Sequence, residues 1–122
     1  VVEKVRTEFD RQAFHRGLEA IWQVVSDANR YVDAQAPWAL RKTDPPRMGT
    51  VLYVLAETIR HLGILIQPVM PTAAANMLDQ LDIAPDARSF DHLGPDHALV
   101  AGTALPKPDP VFPRYVDEQA AD

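Results

Sequence analysis

Residues 29–38 are Asn-Arg-Tyr-Val-Asp-Ala-Gln-Ala-Pro-Trp, and along them a long amphipathic helix reaches a Pro-Trp step. Proline lacks the N–H that a helix interior needs and disfavours helical geometry in the residue before it, so Pro37 is expected to end the helix. Upstream of Pro37, apolar residues recur at spacings of three and four, which predicts one helix from Asp10 or Arg11 to Gln35. Its apolar stripe consists of Phe14, Leu18, Ile21, Trp22, Val25, Ala28 and Val32.

Asn29 and Trp38 are the candidate binding residues of this stretch. Asn29 falls inside the predicted stripe, where a carboxamide must find hydrogen-bond partners or cost free energy. Trp38 follows the helix end, where an indole can project sideways as a flat stacking surface for a planar ligand such as an unstacked RNA base. The more ordinary roles are a core tryptophan that closes the end of the bundle and a buried asparagine that ties helix ends together. Trp22, in the middle of the stripe, is predicted to be core.

Three further helical segments and a short turn complete the predicted bundle. Residues 1–10 carry apolar side chains on one side, and residues 36–42 form a short turn of helix that carries Trp38. The segment 47–67 is apolar around most of its circumference, which is typical of a central helix and predicts burial of Leu55, Ile59 and Leu62. Its narrow polar strip consists of Tyr53, Glu57, Arg60 and His61.

The C-terminal third of the chain has a different character. Pro71 suits the first turn of a last helix that runs to Leu81, and prolines, aspartates and glycines are frequent after it. The segment 105–114 is predicted to be extended and polyproline-like, with Val111 and Phe112 as anchors. The fold class is therefore all-α: a bundle of about four helices over residues 1–82, followed by a Pro-rich tail over residues 83–122.

Composition limits the classes of function. The chain has 122 residues, enough for a single domain, with 47% hydrophobic and 24% charged residues. A net charge of −5 argues mildly against a domain that grips nucleic-acid backbones, although Arg41, Lys42 and Arg47 form a local basic cluster near Trp38. Such a cluster is more often a solvated face. The chain contains no cysteine, which fits a reducing compartment such as the cytoplasm and excludes cysteine-based zinc sites.

Signatures of catalysis are absent from the sequence. It contains no phosphate-binding glycine motif and no H-E-x-x-H metal motif. His92 and His97, with Asp91 and Asp96, could bind a metal, but a solvated loop is the more common outcome for such a pattern. No apolar run approaches the roughly 20 residues that span a bilayer, so no membrane partner is expected. We therefore predict no catalytic residue and no metal ligand.

Several motifs together resemble the anticodon-binding domain of bacterial methionyl-tRNA synthetases. The resemblance covers residues 2–115, and its most specific element is Asn-x-Tyr, five residues, then Pro-Trp. The matching stretches are Phe14-His15-x-x-Leu18-Glu19-Ala20-Ile21-Trp22, Asn29-Arg30-Tyr31-Val32-Asp33-x-Gln35-Ala36-Pro37-Trp38, Leu52-Tyr53-x-Leu55-x-Glu57-x-x-Arg60, Leu65-Ile66-x-Pro68-Val69-Met70-Pro71, Gly102 and Lys107-Pro108-x-Pro110-x-Phe112-Pro113-Arg114.

The resemblance implies a helical module that binds the CAU anticodon of methionine tRNA. In the family the tryptophan of the Pro-Trp step stacks on an anticodon base, which implies that role for Trp38, with Pro37 beside it. Asn29 and Arg30 match the motif as further RNA-binding candidates. The family's other anticodon-binding Asn and Arg lie on an earlier helix that this sequence does not contain.

The resemblance also implies a larger cytoplasmic enzyme. A catalytic domain of the same chain would activate methionine with ATP and Mg, whereas this chain would hold no cofactor of its own and bind neither DNA nor a membrane. The tail would return toward that catalytic domain. The alternative to an RNA-binding module is a helical protein-interaction module without an RNA role, whose exposed apolar surface docks a partner helix.

Overall fold

The computed structural model describes residues 1–117, which form five α-helices followed by three short 3-10 turns, without a β-strand in that range. The all-α fold class is therefore confirmed, as a bundle of four longer helices and one short one. The elements are α1 (Val2–Asp10), α2 (Phe14–Gln35), α3 (Pro37–Thr43), α4 (Pro45–Ile66), α5 (Pro71–Gln80) and the turns Pro85–Ala87, Phe90–His92 and Pro95–His97.

The first two helices are separated by a sharp break at Gln12. Gln12 has a φ of 62°, a left-handed conformation that cannot continue a helix. For this reason α2 starts at Phe14 and not at the predicted Asp10 or Arg11. The chain folds back so that the Phe9 ring lies on Gly17, where an added Cβ would be 2.4 Å from a ring carbon. Only glycine allows this close approach of α1 to α2.

The buried face of α2 is rotated relative to the predicted stripe. The buried residues of the helix are Gly17, Ala20 and Ile21, all on the side that α1 and α4 cover. Trp22 lies at the margin of this face and is 49% exposed, and Phe14 is 56% exposed. The prediction that Trp22 is core is therefore wrong for the described residues. The small side chains of Gly17 and Ala20 admit the neighbouring helices more closely than the bulky stripe does.

The central helix of the bundle is α4, as predicted, because it packs against α2, α3 and α5. It begins at Pro45, two residues before the predicted Arg47, because the Asp44 carboxylate accepts the Arg47 N–H at 3.1 Å and Pro45 occupies the first turn. The expected burial of its middle is confirmed only in part: Leu55 and Leu62 are half-buried, with Leu62 packed against the core, whereas Ile59 is exposed. In residues 1–117 the buried apolar positions of α4 lie at its two ends, at Val51 and at 64–66.

By length and composition alone, α4 could cross a membrane, which corrects the expectation that no apolar run of that length exists. Two charged side chains in its second half, Glu57 and Arg60, form an ion pair at 2.7 Å. A core helix passes the same test of length and composition, and the packing of α4 against three other helices gives it that role.

The polar strip of α4 holds the segment 92–99 against the bundle. Arg60 is 1% exposed, and it donates to both carboxylate oxygens of Glu57 at 2.7 and 3.1 Å. It also donates to the carbonyl oxygens of His92 and Gly94, at 2.7 and 3.2 Å. Glu57 accepts the Leu99 N–H at 2.8 Å, and Tyr53 donates its hydroxyl to the Leu99 carbonyl at 2.7 Å. Arg60 is thus a buried anchor and not part of a solvated face.

The tail also contacts the bundle on both sides of this segment. Gln67 donates to the Arg88 carbonyl at 2.6 Å, and Phe90 packs against the buried core. The Gln80 side chain forms two hydrogen bonds with the backbone of Asp109, at 2.6 and 3.2 Å.

Of the two predicted anchors, Val111 is half-buried and Phe112 is 64% exposed, and both line an apolar cavity with Ile59, Met77 and Leu81 of the bundle. The final five positions of the predicted tail, 118–122, lie outside the described residues.

Candidate nucleic-acid interface

The Pro-Trp step has a defined geometry at the corner between α2 and α3. As predicted, α2 ends at Gln35, and the next residue, Ala36, adopts a left-handed conformation with a φ of 43°. The Ala36 N–H still donates to the Val32 carbonyl at 2.9 Å, which closes the last turn of α2. Pro37 is the first residue of α3 and is buried. The corner therefore fixes the backbone direction immediately before Trp38.

Trp38 presents its indole to solvent. It is 64% exposed, more than Trp22, so the core role that its residue type favours does not apply. Pro37 and Trp38 are neighbours in α3, which packs on α4, yet Pro37 is buried and Trp38 is not. A large aromatic ring held at a fixed corner and open to solvent can stack on a planar group.

Asn29 and Arg30 are also exposed, on the last part of α2. Because the buried face is rotated toward α1, Asn29 lies outside it, and its carboxamide has no hydrogen-bond partner within residues 1–117. The expectation of an asparagine buried in hydrocarbon is therefore wrong. Arg30 lies 3.6 Å from the Asp27 carboxylate in an exposed pair, which contributes little to stability. Both side chains are available to a ligand.

Basic side chains surround the corner despite the acidic total. Arg41 and Lys42 are in the last turn of α3 and Arg47 is in the first turn of α4, and all three are exposed. Arg47 donates from Nη2 to Oε1 of Gln35 at 2.8 Å, which joins the start of α4 to the end of α2. Sequence reasoning identified the basic cluster but missed this contact. The signal for this contact was that Arg47, which only donates hydrogen bonds, follows the Gln35 carboxamide by 12 residues, with two helix ends between them.

The middle of α4, around Glu57 and Arg60, has a different electrostatic arrangement. Burial acts to raise the pKa of Glu57, but the hydrogen bond and charge of Arg60, the Leu99 N–H and nearby His61 outweigh it and hold that pKa below its ordinary value. The Glu57 carboxylate and the Arg60 guanidinium are therefore engaged in internal contacts.

The histidine cluster of the tail forms internal contacts. The rings of His92 and His97 meet edge to face with centroids 4.8 Å apart, and His92 Nδ1 accepts the Ser89 N–H at 3.3 Å. Within residues 1–117 no three histidine, cysteine or acidic side chains gather where they could hold a metal ion.

The fold defines an all-helical domain, and comparison with known proteins identifies its family. The family model described as the anticodon-binding domain of methionyl tRNA ligase matches residues 2–122. The chain belongs to this family, which confirms the resemblance and favours the RNA-binding module over the protein-interaction module.

Relatives in several bacteria agree with this assignment. The chain is 51% identical over 120 residues to a methionine–tRNA ligase of Rhizobium meliloti (strain 1021), which covers 98% of the chain and 23% of the relative. It is 54% identical over 121 residues to that of Brucella suis biovar 1 (strain 1330), with 97% and 23% covered. The chain thus spans about a quarter of the length of these relatives.

Solved structures of the Mycobacterium tuberculosis methionyl-tRNA synthetase contain the same fold. The apo crystal structure aligns with a TM-score of 0.88 at 50% identity, covering 94% of this chain and 24% of that one. The crystal structure bound by methionyl-adenylate aligns with a TM-score of 0.86 at 50% identity, covering 91% and 22%. The match therefore extends over more than nine tenths of the chain.

Proposed function

We propose that this chain recognises the CAU anticodon of methionine tRNA, with Trp38 stacking on an anticodon base. The single observation that carries the proposal is the 64% exposure of Trp38 at the corner between α2 and α3, in a domain of this family. Stacking on an aromatic side chain contributes about 1–3 kcal/mol per base. Pro37 sets the direction of the ring by starting α3 beside it.

Polar and charged groups around Trp38 supply the discrimination between bases that stacking lacks. Stacking tolerates every base, so discrimination requires hydrogen-bonding groups near the ring. Asn29 offers a donor and an acceptor from the exposed side of α2, and Arg30 offers donors only. Arg41 and Lys42 place positive charge near the same corner, where it would attract the phosphates of an RNA loop.

In a complete ligase, this domain would serve a catalytic domain elsewhere in the same chain. That part of the protein would activate methionine with ATP and Mg and transfer it to the tRNA in the cytoplasm. The supporting observation is that the relatives are about four times longer and one of them is known bound by methionyl-adenylate. The present chain by itself should show no methionine-dependent pyrophosphate exchange, and detectable exchange would contradict this division of labour.

The test uses the fluorescence of Trp38. A Trp22→Phe variant leaves Trp38 as the single tryptophan, since the chain has two. An RNA hairpin with a CAU loop should change the emission at lower concentrations than hairpins with altered loops, because only the former satisfies the polar groups near the ring. Equal responses to all hairpins, or none, would contradict the proposal. A Trp38→Phe variant that retains Trp22 reports any response that does not arise at the corner.

A further inference from the structure

The hydrogen bond between Gln35 and Arg47 connects two helices beside the candidate interface. Gln35 is the last residue of α2 and is half-buried, and its Oε1 accepts from Arg47 Nη2 at 2.8 Å. The backbone of Arg47 is itself fixed, because its N–H donates to the Asp44 carboxylate that caps α4. The guanidinium therefore reaches Gln35 from an anchored position.

The chemistry of the two side chains determines which way the Gln35 amide faces. A guanidinium only donates hydrogen bonds, so Gln35 must present its carbonyl oxygen to Arg47. The amide NH2 group is then directed away from Arg47, and it has no hydrogen-bond partner within residues 1–117. Arg47 thus converts a carboxamide that could either donate or accept into one that offers two donors.

These donors lie at the Pro-Trp corner. Gln35 precedes Trp38 by three residues, and the two residues between them are conformationally fixed, Ala36 in the left-handed region and Pro37 buried at the start of α3. A base stacked on the Trp38 indole would then have its hydrogen-bonding edge close to the Gln35 amide.

We propose that Gln35, oriented by Arg47, is a specificity-determining residue that donates to the Watson–Crick edge of the cytosine of CAU. The proposal rests on the proposed function. Of the three anticodon bases, cytosine alone carries two adjacent acceptors, N3 and O2, on that edge. Uracil has an N–H at position 3, which would oppose an amide donor. Gln35 therefore favours cytosine over uracil at this place, and Arg47 is a positioning residue that acts through Gln35.

The experiment measures binding of the chain to three labelled hairpins, with loops CAU, UAU and CAC, by fluorescence anisotropy. The wild-type chain should prefer CAU over both others. In Gln35→Met, the preference for CAU over UAU should fall about tenfold, because one pair of good base contacts is lost. The preference for CAU over CAC should persist, because the proposed contact of Gln35 is with the cytosine and not with the third base. Gln12→Met changes an exposed glutamine between α1 and α2 and should alter neither preference.

Two more variants separate recognition from a structural role. In Gln35→Glu a carboxylate still accepts from Arg47, so the helix connection persists, yet the preference for CAU over UAU should be lost with the donors. Arg47→Met should reduce the same preference, and the double variant Gln35→Met/Arg47→Met should reduce it no further, because both act on one contact.

The outcomes distinguish this inference from the proposed function. A wild-type chain that does not prefer CAU would contradict the proposed function. A wild-type chain that does, with Gln35→Met and Gln35→Glu variants of unchanged preference for CAU over UAU, would contradict only the role of Gln35. Retained preference in Gln35→Met with a lowered melting temperature would assign the Gln35–Arg47 contact to helix packing alone.

Discussion

The middle of α4 and the corner between α2 and α3 both carry arginines, yet the two regions use them in opposite ways. Arg60 of α4 is 1% exposed, and its donors are taken by Glu57 and by two backbone carbonyls of the tail. At the corner, Arg41 is exposed and has no partner within residues 1–117. This difference shows that the polar groups of the first region stabilise the fold, whereas Arg41 at the second remains available to a ligand.

The largest effect should come from removing the buried guanidinium. Arg60→Met keeps much of the volume but leaves Glu57 and the carbonyls of His92 and Gly94 without their donor. We expect the free energy of unfolding to fall by about 3–5 kcal/mol, as when one partner of a buried ion pair is removed. Urea unfolding measures this.

The matched control is Arg41→Met at the corner, which should change the free energy of unfolding by less than about 0.5 kcal/mol because that side chain is exposed. Equal losses in the two variants would remove the contrast between the regions.

A smaller loss should follow from truncating Trp22. If Trp22 were fully buried, Trp22→Ala would lower the free energy of unfolding by about 3–5 kcal/mol. Because half of the side chain is exposed, we expect a loss of about 1–2 kcal/mol. Thermal melting and urea unfolding would both detect it. Complete unfolding of the variant would mean that this ring is core and that the rotated face of α2 is wrong.

The pH dependence of stability should report Glu57. Its pKa is lowered in the folded chain, so its ionised form contributes stability at neutral pH, and this contribution is lost as the pH falls through 4.5, the ordinary value, toward the folded-state pKa. Wild-type stability should therefore decline over that range more steeply than that of Glu57→Gln.

The control for this measurement is Glu3→Gln, which removes an exposed carboxylate of α1. Because the Glu3 side chain has no hydrogen bond or ion pair within residues 1–117, this variant should keep the decline that Glu57 causes. If Glu57→Gln also kept this decline, the Arg60 and Leu99 contacts would not favour the ionised form of Glu57.

The helices were predictable from the sequence to a large extent, since periodicity and prolines determine most of their ends. Pro37 ends α2 at the predicted residue, and the central position of α4 follows from its apolar circumference. The start of α2 was missed because a positive φ at Gln12 arises from the way α1 packs, which no local pattern records.

The exposure of individual side chains was less predictable. A stripe of large apolar residues does not reveal that small residues on its flank, Gly17 and Ala20, admit the neighbouring helix and turn Trp22 outward. Likewise, Arg60 occurs in a narrow polar strip, and its burial depends on carbonyl groups that come from residues 92–94, more than thirty positions later. Trp38 and its motif were identified from the sequence, but its exposure required the structure.

The central claim, that Trp38 serves RNA and not the fold, is tested most directly by Trp38→Ala. The melting temperature of the chain should change little, because the ring is 64% exposed. In the ligase that carries this domain, affinity for methionine tRNA should fall about 10- to 100-fold, since a stacked base is lost. A large drop in melting temperature with unchanged tRNA affinity would contradict the account and assign Trp38 to the core.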